Sequence, residues 1–499
     1  MANIENLVYT PLNVRELDRI AIEECGIAGY TLMKRAGQAA FAEARTRFPD
    51  ARRWLVVCGA GNNAGDGYVI ASLACAANLD VTVAALSDPG ELRGDAEKAW
   101  RDYRAALDVT GEPFVAFSEA LLANADLVVD AILGTGIGRP LSGQYLEAVQ
   151  AIAGCPLPVV AVDVPSGLNS ETGEVMGCAV KASVTVTFVG LKQGLYLGAG
   201  PEHAGAICFA DLNIPASVAS RVEPGLRIFT NGDLAGLLPR RAATAHKGRF
   251  GHVLVIGGNH GMAGAARLAG EAALRSGAGL VSIASRAETV TAITAARPEL
   301  MCHSISTVDE LEPLMSRASV IALGPGLGRD DWATALFERV FDSPRPKVLD
   351  ADALNLLAEN PVRRDDWILT PHPGEAGRLL GISTKEVQHD RLSSLASLVD
   401  RYGGVSVLKG RCTLIGARSG LPYLIDRGNP GMATAGMGDV LTGLTAGIIA
   451  QFPDSMQKGA AAAAYAHAVA GDRAAERGQR GLIATDLFAE LRPVMNPDD

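Results

Sequence analysis

The chain is poor in aromatic side chains, has no CxxC pair, and contains no apolar run long enough to be a convincing membrane span. Its eight cysteines, at 25, 58, 75, 155, 178, 208, 302 and 412, are scattered. That spacing indicates neither a zinc site nor a disulfide framework, and Cys58, inside Leu55–Cys58, reads as a small buried hydrophobe. Aromatics at 5% argue against a protein that stacks on single-stranded nucleic acid, and a net charge of −10 argues against an extended polyanion as partner. A small anion remains open, because local backbone dipoles outweigh a distant negative charge. The segment 1–9 has neither a basic nor an apolar signal region. The Ala-rich stretch Gly459–Val469 reads as a packing helix. These absences predict a cytoplasmic protein with no nucleic-acid or membrane partner; a homo-oligomer is also expected.

What is present is a long, apolar, moderately charged chain of 499 residues, 48% hydrophobic and 20% charged, which fits two or three well-buried α/β domains. Residues from about 10 to 48 read as helices, with Leu12, Leu17, Ile20 and Ile27 predicted on one face. Short β-branched runs follow at Trp54–Cys58, Val81–Leu86, Leu127–Leu133, Val159–Val164 and Val184–Val189. They predict buried parallel strands in a doubly wound α/β domain. A less periodic connection spans about 211–247. A second series predicts strands at His252–Ile256, Leu280–Ala284, Val320–Leu323, Lys347–Leu349, Trp367–Leu369, Val405–Leu408 and Thr413–Ile415. Helices are predicted at Ala263–Ser276, Ala333–Phe341, Val387–Tyr402, Val440–Gln451 and Lys458–Arg477.

Each half carries one glycine-and-aspartate loop. The first, Gly59-Ala60-Gly61-Asn62-Asn63-Ala64-Gly65-Asp66-Gly67, follows a predicted strand. It has no P-loop lysine and no GxGxxG spacing, yet its glycines let a phosphate approach the backbone near a helix start. Asp66 is expected to open that helix and cap it. Asp130-Ala131-Ile132-Leu133-Gly134-Thr135-Gly136 and Asp163-Val164-Pro165-Ser166 end two further strands. Ligands of open parallel sheets sit at such carboxyl ends, so Asn63, Asp130, Asp163 and Ser166 are expected to converge. One carboxylate among neutral oxygens suits a monovalent cation.

The second loop is Gly436-Met437-Gly438-Asp439, before the helix Val440–Gln451. Ahead of it come His246–Gly251, Gly257–Asn259, Gly324-Pro325-Gly326-Leu327-Gly328, Thr370-Pro371-His372-Pro373-Gly374-Glu375 and Lys409-Gly410-Arg411-Cys412-Thr413. Singly each has a plain reading as a turn, a loop histidine, a first-turn carboxylate or a solvated flank. Their ordered set is much more specific.

On these residues the first half, about 10–215, resembles the NAD(P)HX epimerase domain, whose marker loop GxGNNGGDG is matched by GAGNNAGDG with Ala64 in place of a glycine. The resemblance implies a Rossmann-like domain that binds hydrated NADH or NADPH (NADHX, NADPHX). It implies substrate contacts from Asn62, Asn63, Ala64, Gly65, Asp66, Gly134, Thr135, Gly136, Ile137, Gly138, Arg139, Pro140, Tyr145 and Asp163. It further implies K⁺ on Asn63, Asp130 and Ser166, with Asp163 as the acid/base group. The second half, about 230–495, resembles the ribokinase-like ADP/ATP-dependent NAD(P)HX dehydratases, with Ala435 replacing a family glycine. That implies Asp439 as catalytic base. It implies Ala265, Gly326, His372 and Asp439 on the substrate, and Lys409, Gly410, Arg411, Cys412, Thr413, Gly436 and Gly438 on ADP or ATP, which brings Mg²⁺ with it. The division implied is 1–219 and 220–499. A small-alcohol kinase in the second half, or a non-catalytic binding module in the first, are the alternatives the residues leave open.

Overall fold

A computed structural model of the chain describes residues 4–107 and 113–497. The chain divides into two compact units, Met1–Leu226 and Arg227–Asp499. In the first unit the strands are β1 (Leu7–Tyr9), β2 (Arg53–Cys58), β3 (Asp80–Ala85), β4 (Val115–Ala116), β5 (Leu127–Ala131), β6 (Val159–Val162), β7 (Val184–Phe188), β8 (Leu191–Lys192) and β9 (Ala206–Ala210). Seven of them form a parallel sheet in the order β4-β3-β2-β5-β6-β7-β9. β1 pairs separately, and in parallel, with β8. Strands β2, β5, β6 and β7 are buried on both faces, which is why they read as continuous apolar runs. The order reverses between β2 and β5, and this switch point opens a crevice at their carboxyl ends.

The second unit holds β10 (Leu226–Ile228), β11 (His252–Ile256), β12 (Leu280–Ser285), β13 (Met301–Ser304), β14 (Val320–Leu323), β15 (Lys347–Leu349), β16 (Trp367–Leu369), β17 (Val405–Leu408), β18 (Thr413–Ala417) and β19 (Tyr423–Ile425). The order β13-β12-β11-β14-β15-β16-β17 is parallel, and β18 and β19 continue the sheet antiparallel. β10 pairs in parallel with β19. Here the switch lies between β11 and β14. Helices Ala263–Arg275, Met437–Gln451 and Met456–Ala474 bury small residues against one another and the sheet. No helix among the described residues is long and apolar enough to cross a membrane.

Several sequence expectations are corrected. Leu12 is 68% exposed, and the buried face of its helix is Val14, Leu17, Ile20 and Ala21. A residue five positions before Leu17 stands about 140° round the helix from it. Asp66 neither opens nor caps its helix, which starts at Asn62 after Gly61 and places Asp66 one turn in. The single helix predicted over Val387–Tyr402 is two, Thr384–His389 and Arg391–Tyr402. Asp390 between them leaves helical geometry and accepts the Ser393 N–H at 2.9 Å. Strands β9, β13 and β19, like the two- and three-residue strands β1, β4 and β8, lie outside the predicted runs. β9 and β13 are half-exposed edge strands and β19 has only three residues, so none shows a long apolar run. The connection 211–247 contains two short helices, Ala216–Ala219 and Asn231–Leu237, as well as β10.

Two helices of the second unit approach closely at Gly443, where a Cβ would overlap the Ala269 carbonyl oxygen. Gly443→Ala gains helix propensity of about 1 kcal/mol. The overlap with fixed backbone outweighs that gain, so a net loss of roughly 1–3 kcal/mol is expected, read as a lower melting midpoint. A higher midpoint would mean that the two helices move apart freely.

Candidate active sites

In the first unit the loops after β2, β5 and β6 meet around a cavity of about 540 Å³. Asn62, Asn63, Asp66, Gly134, Thr135, Gly136, Ile137 and Asp163 line it. Gly138, Arg139 and Pro140 are exposed and stand outside its lining. Tyr145 also stands outside, with its hydroxyl 2.8 Å from Ser87 Oγ. Ala64 and Gly65 are buried in the helix that the loop opens.

Beneath the cavity Asp130 is fully buried, and Ser166 binds both its oxygens: Oγ–H donates to Oδ1 at 2.6 Å and the backbone N–H to Oδ2 at 2.8 Å. Leu133 N–H in turn donates to Ser166 Oγ at 2.9 Å, tying the two strand ends together. Burial pushes the Asp130 carboxyl up to about 6, against the pull of the Ser166 and Ile132 hydrogen bonds. No Lys or Arg pairs with it among the described residues. Nearby, the Asn63 Nδ2 is buried without a hydrogen-bond partner, and the Asn63 Oδ1 reaches toward Gly134.

Among the lining residues that the sequence does not single out are Lys192 and Asp18. Lys192, at the end of β8, is almost wholly buried and ion-paired with Asp163. Asp18, on the first helix, is pushed up to about 6 by burial, with Lys192 pulling it down and Asp163 pushing it further up. Asp66 is raised well above its ordinary value by burial and then by Asp163 and Asp18. The signal was a lysine immediately after an apolar run, Val184–Leu191. It is weak, because a lysine there usually flanks a strand in solvent.

In the second unit the Gly436–Asp439 loop starts a 15-residue helix. Gly436 is in the left-handed region at φ 89° and acts as N-cap without a side-chain cap, so the first-turn amides are free to meet an anion. Asp439 sits in that turn and makes no hydrogen bond among the described residues. Burial, then Asp350, pushes it up to about 7, with Lys409 pulling the other way and Asp352 adding to the rise. Under the loop Lys409 Nζ lies 2.7 Å from Asp350 Oδ1 and 3.7 Å from Glu375 Oε2. Thr442 Oγ1–H donates to Asp350 Oδ2 at 2.8 Å. Burial opposes ionisation of Asp350, but Lys409 and the hydroxyls prevail and hold it below its ordinary value.

His372 caps the helix Pro373–Leu380. Its Nδ1 accepts the Gly374 N–H at 3.0 Å, and Glu375 Oε2 accepts the His372 N–H at 2.8 Å. Gly326 packs against Met262 and Ala265, which brings two expected substrate positions together. Gly328 N–H donates to Asp352 Oδ2 at 2.8 Å, linking that loop to the helix after β15. The Lys409–Thr413 loop is strapped from below by Arg391. This buried guanidinium donates to the carbonyls of Leu408 (3.1 Å), Lys409 (3.3 Å) and Cys412 (3.1 Å), and to that of Arg411. Sequence reading placed Arg391 inside a helix and gave it no role, since nothing local marks the loop it serves.

The family model described as "NAD(P)H-hydrate dehydratase" matches residues 253–493, and that described as "YjeF-related protein N-terminus" matches 29–194. The bifunctional NAD(P)H-hydrate repair enzyme of Coxiella burnetii is 48% identical over 492 residues, covering 98% of this chain and 100% of that one. The chain belongs to the bifunctional NAD(P)H-hydrate repair enzymes. The Escherichia coli member is 43% identical, with 99% of this chain and 95% of that one covered. Among solved structures, a ribokinase-like superfamily protein of Enterococcus faecalis is 30% identical with a TM-score of 0.51, covering 55% of this chain and 96% of that one. A hypothetical protein of Streptococcus mutans is 33% identical at the same TM-score, covering 54% and 98%. The second unit is therefore ribokinase-like and the first is the epimerase-type, Rossmann-like domain of this family.

The raised Asp439 carboxyl has a stability consequence. Its folded value of about 7 stands above an unfolded value of about 4. The folded state therefore holds the proton more tightly, and the stability this brings is present below pH 4 and lost as pH rises through 7. Asp439→Asn removes that loss. At pH 8 the variant is expected to be more stable than the wild type by on the order of 2 kcal/mol, and equal to it near pH 3.5. Denaturation curves at the two pH values measure this, and a variant that is less stable at pH 8 contradicts it.

Proposed function

We propose that the two sites act in series on hydrated NADH and NADPH. The first equilibrates the R and S epimers, and the second dehydrates the S form with ADP or ATP as phosphoryl donor. The observation that carries the second role is Asp439, an unpaired carboxylate titrating near neutrality beside the uncapped amides of a helix start. Hydroxide leaves poorly. Asp439 takes the proton of the ring hydroxyl, the hydroxyl oxygen attacks the terminal phosphorus of the nucleotide as the P–O bond to the departing AMP (from ADP) or ADP (from ATP) breaks, and the amides of Gly436 and Gly438 hold the moving phosphoryl group. Departure of phosphate from carbon, with loss of a proton from the neighbouring ring carbon, restores the double bond.

Lys409 is shared between Asp350 and Glu375, so in this reading it sets the charge of the nucleotide site from below, while the 410–413 backbone meets the nucleotide. Ala265, Gly326 and His372 contact the substrate. Mg²⁺ arrives with the nucleotide, since no group of three or more His, Cys, Asp or Glu suited to a metal occurs among the described residues.

In the first site Asp163 exchanges the proton that lets the hydroxyl leave and return. Asn63, Asp130 and Ser166 hold K⁺. The support is a buried carboxylate with no cationic partner and neutral oxygens around it, a donor set that suits a weakly hydrated monovalent ion. Such an ion supplies the positive charge that Asp130 lacks. The eight free cysteines suit a reducing compartment, which supports action in the cytoplasm.

Asp439→Asn is expected to lower ADP-dependent recovery of reduced-coenzyme absorbance from the S epimer by about 10²–10⁴-fold, with epimer exchange unchanged. Turnover at the wild-type rate would remove the base assignment, and phosphorylated product without dehydration would favour a kinase. Replacing K⁺ by Li⁺ is expected to slow epimer exchange and to lower the melting midpoint of the wild type, and Asp130→Asn to abolish both responses. An Asp130→Asn protein that still responds to K⁺ would place the ion elsewhere.

A further inference from the structure

Asp163 follows β6 with a left-handed backbone, φ 70°, and its side chain borders the cavity. Its two oxygens have unlike surroundings. Oδ1 accepts from Lys192 Nζ, from Thr187 Oγ1 at 3.2 Å and from Phe188 N at 3.3 Å. Oδ2 accepts from nothing among the described residues. Lys192 is equally committed: beyond Asp163, its ammonium donates to Phe188 O at 2.7 Å and to Thr187 Oγ1 at 3.1 Å, which uses all three protons. The stem is held by β8, whose residues pair with β1, and the side chain is 1% exposed. A cation so placed has no proton left to offer a ligand. What it does is hold one carboxylate oxygen in place. Of the other carboxylates that line the cavity, Asp18 and Asp66 lie close enough to Asp163 to feel its charge, so without the ammonium three acidic groups would oppose one another.

We propose that Lys192 is a positioning residue of the first site. It saturates Oδ1 of Asp163 and thereby leaves Oδ2 as the single atom that exchanges a proton with the substrate hydroxyl. This rests on the reading of Asp163 as the acid/base group. A buried ion pair kept only for folding would contribute modestly to stability and would leave the rate of chemistry in the folded protein alone. A positioning pair holds the reacting oxygen within a narrow range of the hydroxyl, and its loss falls on kcat.

The test uses the full-length protein with separated R and S epimers. Epimer exchange is followed by chromatography, and ADP-dependent dehydration by the other unit of the same chain reports folding and concentration. Lys192→Met keeps the buried stem and is expected to lower the kcat of epimer exchange by about 10²-fold, with KM changed less than about threefold. Lys192→Ala is expected to behave alike and to regain about tenfold on addition of methylammonium, which restores the cation in the space vacated. Thr187→Val removes a second donor to the same oxygen without changing shape and is expected to cost about threefold in kcat. It keeps the test decisive if both lysine variants misfold. A loss confined to KM, no recovery with methylammonium in a folded Lys192→Ala protein, or wild-type kcat in both Lys192→Met and Thr187→Val overturns the proposal. Asp163→Asn separates this failure from that of the underlying reading. If it abolishes exchange while the lysine and threonine variants are unaffected, only the positioning role falls. If it exchanges epimers at the wild-type rate, the acid/base assignment falls first.

Discussion

In each unit a helix begins with amides that have no partner within the helix: Asn62 and Asn63 at the β2/β5 switch, and Met437, Gly438 and Asp439 beside Asp350 and Lys409, which follow β15 and β17. In the proposed reading that polarity draws an anion to the carboxyl ends of β2 and β5 in one unit and to the helix start beside Asp350 and Lys409 in the other. The carboxylates placed beside it then need compensation, and each site supplies it through one lysine. Lys192 answers Asp163, and Lys409 answers Asp350 and Glu375. Without those cations the acidic clusters would repel the phosphates that the proposed reading places at the helix starts.

The lysines are tied down before any ligand arrives. Lys192 spends its protons on Asp163, Thr187 and Phe188, and Lys409 sits between two carboxylates. Each therefore works as a fixed charge that sets how its neighbours ionise. Asp439, left without a partner, titrates near neutrality, whereas Asp350, one contact deeper and paired, stays ionised. In the proposed reading these two carboxylates, with opposite tendencies in one site, divide the work between base and charge support.

Much of this was legible in the chain. The strands buried on both faces announced themselves as apolar runs, and β11, β14, β15, β16 and β17 fall where those runs fall. The loops around Asn62–Asp66 and Gly436–Asp439 could be recognised because glycine and acid in that order have few other uses. Edge strands such as β9 and β13 were not legible, since half-exposed segments carry no such run. The break at Asp390 was hidden by the apolar period that continues across it, and only the capping hydrogen bond to Ser393 shows where one helix stops.

The sequence by itself determined the order of elements and the two chemical loops, because backbone freedom, burial and helix starts are local properties written in consecutive residues. Tertiary structure alone decided which distant groups answer them: Lys192 and Asp18 at the first cavity, Arg391 under the Lys409–Thr413 loop, and the Asp350–Lys409–Glu375 cluster below Asp439. These partners lie on other strands and helices, tens of residues away. Whether a lysine ends in solvent or beneath a carboxylate depends on how the sheet is ordered, and no spacing along the chain records that.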